Sequence, residues 1–129
     1  MAKYTIIALR ILMGSVFFIN GFDKIYPLLP TPNFAPPAQA FYGALMSMEY
    51  FLLLLGLAEF LAGILLITNQ FVPFALAILA PIITNILLFH LFLDLQGLPL
   101  ALFLLISEVI LLYFYRSYFA TLLSRKSKF

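Results

Sequence analysis

EYFLLLLGLAEFLAGILLIT (residues 49–68), NQ (69–70) and FVPFALAILAPIITNILLFHLFL (71–93) decide the fold of this chain. Two apolar runs, each about 20 residues long and so able to cross a hydrocarbon core of about 30 Å as helix, are parted by two polar residues. So short a turn makes the two helices antiparallel neighbours. The pattern repeats outward on both sides. Residues 4–26 form an apolar run before this pair, and residues 98–118 form another after the Gln96-Gly97 turn. The expectation is a single all-α domain over residues 1–129, a polytopic membrane four-helix bundle.

Composition points the same way. Of the 129 residues, 65% are hydrophobic and 9% charged, against roughly a quarter charged in a soluble domain. A domain of about 150 residues still leaves nearly a third of its surface wet, so water cannot be the solvent for this much apolar side chain. The bilayer is therefore the first partner expected. The net charge of +2 gathers at the C-terminal end, which speaks for orientation and against nucleic acid. With no Cys and one His, thiol exchange, iron–sulfur ligation and bis-His haem ligation are excluded for the chain alone.

The connection over residues 27–48 differs from the other turns. Pro27, Pro30, Pro32, Pro36 and Pro37 oppose regular helix, whereas Ala38–Met48 regains helical spacing with Phe41, Leu45 and Met48. This stretch is expected as a short helix in the membrane interface. Met1-Ala2-Lys3 and Ala38-Gln39-Ala40 resemble the ends of a secretory signal. The apolar region lies too far from that cleavage-like site, with five prolines between, so the first span is expected to be retained.

Lys3, Arg116, Arg125, Lys126 and Lys128 fall on one side of a four-span chain and Lys24 on the other. The positive-inside rule then places both termini, and the basic tail 119–129, in the cytoplasm. A bacterial-type inner membrane is the expected location. All seven tyrosines fall near span ends or in the interfacial segment, as an aromatic belt requires. Pro81, in mid-span, is expected to kink its helix, with Thr84 and Asn85 able to re-satisfy freed backbone groups.

Ionisable groups inside spans cost a few kcal/mol or more at the bilayer centre, so they are the informative residues. Glu59 and Glu108 sit near the middle of the second and fourth spans, and Arg10 sits in the first turns of the first. An Arg facing two carboxylates makes all three tolerable, so Arg10, Glu59 and Glu108 are expected to form a buried charged seam. Helical spacing puts Arg10, Gly14, Gly21 and Lys24 on one stripe and Gly56, Glu59 and Gly63 on another. The glycines are the expected packing points. A seam of this kind serves equally well to fix helix order.

A second polar group gathers at the opposite ends of the spans: Asn20, Asp23 and Lys24, then Glu49, then Asn85, His90 and Asp94. His90 and Asp94 are four apart, so Asp94 can orient the ring. Together they outline a polar pocket over a Phe-rich interior, suited to a lipophilic molecule with a polar head such as a quinone. Helix-end residues also reach water simply by snorkelling. His90 with Asp94 and Asp23 or Glu49 would make a mixed-carboxylate metal site, but the spacing does not demand one; no metal or covalent cofactor is expected.

The run Arg10-x3-Gly14-x2-Phe17-x3-Gly21-x2-Lys24 resembles the first helix of DoxX-like (DoxX/DoxD) membrane proteins, and Glu59-x3-Gly63 resembles their second-helix pattern. The resemblance extends over four spans, a long first loop and a basic C-terminus. It implies an accessory membrane subunit, since some relatives are associated with quinone-linked sulfur oxidation or terminal oxidases. Thiol-redox roles in the family need cysteines, and this chain has none. The resulting expectation is an accessory protein, not a stand-alone enzyme, that holds a quinone or supports a redox partner subunit. Two alternatives stand beside it: a small proton-coupled transporter using Glu59 and Glu108, which would call for a homo-oligomer, and a purely structural partner.

Overall fold

The computed structural model describes residues 2–129. It contains α1 (Ala2–Ile25), α2 (Pro36–Ser47), α3 (Glu49–Thr68), α4 (Val72–Phe92) and α5 (Leu98–Phe114), with single 3-10 turns at Leu95–Gly97 and Arg116–Phe119. No strand occurs among the described residues. Four helical stretches are long and apolar enough to cross a membrane: α1, α3, α4 and Leu95–Phe114. The fourth ends at Phe114, short of the expected 118, where the backbone turns into the 3-10 segment.

Local chemistry sets the boundaries. α3 stops at Asn69, which takes the left-handed conformation (φ 57°), a backbone shape that Asn accepts more readily than most residues. The Gln70 N–H then bonds the Leu65 carbonyl at 3.0 Å. Phe71 is also left-handed (φ 49°), and Pro73 follows in the first turn of α4, where a missing N–H costs nothing. The same rule corrects the expected start of α2. The helix begins at Pro36, not Ala38, because Pro36 and Pro37 occupy its first two positions.

α4 runs without a break through Pro81. The proline leaves the Ala77 carbonyl without its helical donor. Thr84 does not supply one: its hydroxyl donates to the Ala80 carbonyl at 2.8 Å.

The four spans pack in a closed ring, α1 on α3, α3 on α4, α4 on α5 and α5 back on α1. Met13, Phe17, Leu66, Leu76, Leu79, Ile83, Leu104 and Leu111 fill the centre. Leu54, Leu57, Leu61, Phe74, Ile106 and Val109 stay exposed on the outside. Helices apolar on every side need lipid against the outer face.

The α1–α3 contact is the most extensive in the molecule, and glycine makes it so. A Cβ on Gly21 would lie 2.7 Å from the Gly56 carbonyl oxygen and 2.8 Å from the Phe60 Cα. A Cβ on Gly63 would lie 2.6 Å from the Gly14 oxygen. Gly14, Gly21, Gly56 and Gly63 thus all lie in one helix–helix seam, where small residues let backbones touch.

Candidate functional site

Close approach of α1 and α3 fixes the site's ion pair. The Lys24 Cβ sits beside Gly56, and its stem runs one turn along α3 to Glu59. Lys24 Nζ donates to Glu59 Oε2 at 2.9 Å. The Glu59 side chain is 3% exposed and that of Lys24 is 24% exposed, so the carboxylate is enclosed while the ammonium keeps a path outward.

This pairing corrects the expected seam. Glu59 is bound by Lys24, and no ion pair or hydrogen bond joins Arg10 to Glu59 or Glu108 among the described residues. The helix register explains why. Gly14 meets Gly63, so Arg10, one turn further along α1, lies level with Ile67. That is about two turns, roughly 12 Å, from Glu59. Glu108 is enclosed on α5, and neither of its oxygens meets a donor among the described residues.

Beside the Lys24–Glu59 pair opens a cavity of about 720 Å³. Asn20, Asp23 and Lys24 from α1, Glu59 from α3, and Asn85 and His90 from α4 line it. Phe17, Phe51, Leu55, Ile82, Phe89 and Leu104 supply apolar wall. Of the seven residues expected at this pocket, Asn20, Asp23, Lys24, Asn85 and His90 line the cavity. Glu49 is exposed and does not line it, although Phe51 and Leu52 of the same first turn of α3 do. Asp94 reaches the site only through His90, whose Nδ1 lies 3.1 Å from the Asp94 carbonyl oxygen and 3.2 Å from Asp94 Oδ2. Gly97 is packed so closely on the imidazole that a Cβ there would collide with the ring.

The polar groups differ in how far the protein satisfies them. Asn20 spends its amide N–H on the Val16 carbonyl, 2.8 Å away, which leaves its oxygen free as an acceptor. Asp23 is a loop anchor: its Oδ1 accepts the N–H groups of Leu28 and Leu29, each at 2.7 Å. The Asn85 side chain makes no hydrogen bond with any described residue, so both its donor and its acceptor are open to the cavity.

The roof was not foreseen from sequence. Leu29, Pro30, Pro32 and Phe34 from the Pro-rich loop and Phe41, Tyr42 and Leu45 from α2 close over the cavity. Phe34 stands edge-on to both Tyr42 and Phe89, with centroids 5.3 Å apart in each case, and Phe41 packs on Phe89 at 5.4 Å. Gln39 Oε1 accepts the Phe34 N–H at 3.2 Å. Burial, and then the nearby Asp23 charge, push the Tyr42 phenol above its ordinary range. Five prolines and an aromatic every few residues were the available signal for a packed cover. A linear sequence does not show that these rings converge on Phe89. No group of three or more metal-ligating side chains occurs among the described residues.

Four apolar helices in a ring, one end roofed over a largely apolar cavity, define a multi-pass membrane protein of the four-helix bundle class. The chain belongs to the DoxX family, whose model matches residues 5–91. Every polar residue lining the cavity falls within that match, while Glu108 lies beyond it. No curated protein and no solved structure matches the chain.

Proposed function

We propose that this chain is an accessory protein of a bacterial-type inner membrane that holds a quinone-type lipophilic molecule, alone or beside a redox partner subunit, with both termini in the cytoplasm. One observation carries the reading: a cavity of about 720 Å³, in the size range of small-molecule sites, has apolar walls and a few polar groups at one place. The Asn85 amide supports the fit: it is exposed and unbonded on the cavity lining, so it is free to meet a polar ligand atom. Lys24 Nζ and the Asn85 amide would donate to the carbonyl oxygens of such a head group. The leucine and phenylalanine walls would take its chain. The quinone would supply the electron chemistry; the protein's part is to bind it, orient it and keep water out.

The test is labelling of the purified protein in lipid vesicles with a photoreactive quinone. The expected result is adducts on cavity residues, with labelling weakened by Glu59→Gln and by His90→Ala. Undiminished labelling in both variants would remove the cavity as the site, and absence of labelling would leave the structural-partner role as the better account.

A further inference from the structure

The half of the bundle nearer the termini encloses a second polar group that the cavity does not use. Arg10 Nε, Ser107 Oγ and both carboxyl oxygens of Glu108 are buried without a partner among the described residues. Glu108 is 2% exposed and Ser107 1%. Arg10 lies about 12 Å from the start of α1 and Glu108 about 9 Å from the end of α5. The two helices run antiparallel and are packed together, so both residues lie in the half of the bundle nearer the termini.

Ser107 adds an independent sign. Ser15, Thr68 and Thr84 each return their hydroxyl to the carbonyl four residues back, at 2.8, 2.7 and 2.8 Å, as hydroxyls in apolar helices commonly do. Ser107 does not, and its oxygen stays free next to Glu108. A bare carboxylate so enclosed is too costly to persist, and a proton on it removes both the charge and the cost.

We propose that Glu108, with Ser107, forms a proton-binding site inside the bundle, reached from the terminal end through buried water and separate from the roofed cavity. The step is a simple protonation: a water-borne proton joins a carboxylate oxygen, and its loss restores the carboxylate. Among the described residues, none of the charged and titratable groups on the elements packed against α5 is bonded to Glu108; Arg10 of α1 lies in the same half of the bundle. α4 carries only His90, at the other end. On α1, Lys3 and Tyr4 lie toward the terminus and Asp23 and Lys24 at the far end. The 3-10 turn after α5 brings Arg116, exposed and bonded to the Tyr113 carbonyl at 2.8 Å, and Tyr118, also exposed; Tyr115 precedes it.

A hydrophobic carbodiimide, which adds to protonated carboxyls within membranes, reads this directly on the full chain in lipid vesicles, without any quinone. Peptide mass spectrometry is expected to find the adduct on Glu108, with Glu59 spared by its ion pair. Above the pH at which the proton leaves, labelling should fall about tenfold per pH unit. Glu108→Gln should abolish the adduct. In infrared spectra of the wild type, the carbonyl stretch of a protonated carboxyl should be present and should be lost in Glu108→Gln. Absence of that band, an unlabelled Glu108, or labelling indifferent to pH would each overturn the proposal. None of these results depends on whether the cavity binds quinone.

Discussion

Lys24 and Glu59 join the end of α1 to the middle of α3 at 2.9 Å, and they do so across a seam in which glycine backbones touch. The two partners are unequal. Lys24 sits near a helix end with a long stem and can turn outward, whereas Glu59 has no such exit. Removing one partner of an enclosed pair leaves an uncompensated charge, so the two single substitutions should differ. Lys24→Met is expected to destabilise the bundle by about 3–5 kcal/mol. Glu59→Gln should cost distinctly less, because the ammonium can move to the interface. The double variant should regain most of what Lys24→Met loses. Unfolding in mild detergent, run as a double-mutant cycle, measures all three; equal losses from the two single variants would contradict this account.

The glycine seam makes a sharper prediction, since position alone decides the outcome. Gly21→Leu must push α1 off α3, because the atoms it would meet are the backbone of Gly56 and Phe60. A loss of about 1–3 kcal/mol or more is expected from overpacking, read as a lower melting temperature and loss of a monodisperse species in detergent. Gly43, on α2, has no atom within 4 Å of a Cβ placed there. Gly43→Leu should therefore leave the bundle's melting temperature nearly unchanged.

These two predictions mark what was legible in the chain. The spans were, because a bilayer imposes length and apolarity on each segment by itself. So were the glycine stripes, since helical spacing alone puts Gly14 with Gly21 and Gly56 with Gly63. The identity of Glu59's partner was not. Arg10 and Lys24 share one stripe about 21 Å apart, and only the vertical register of α1 against α3 decides which of them reaches Glu59. The roof was hidden for a related reason: Phe34, Tyr42 and Phe89 come from a loop, a short helix and a span, and no local pattern links them. Asn85 and Glu108 were visible as polar residues in apolar runs, yet their lack of a protein partner is a property of the folded bundle.

The roof supplies the last prediction. Asp23 accepts the N–H groups of Leu28 and Leu29, and its charge is one of the two causes that raise the Tyr42 phenol, after burial. Asp23→Ala should release the loop at its root, so hydrogen exchange should quicken over residues 26–34 while the amides of α3 and α4 keep their protection. A local opening of this kind leaves the global unfolding free energy largely intact. The same construction sets a pH limit. Because Tyr42 holds its proton more tightly when folded, its share of stability is fully present below the ordinary tyrosine range near about 10 and is lost as pH rises through the folded value. Exchange over the loop and α2 should therefore exceed its intrinsic pH dependence only at strongly alkaline pH. Tyr42→Phe, which keeps the ring on Phe34, should remove that excess without opening the loop at neutral pH.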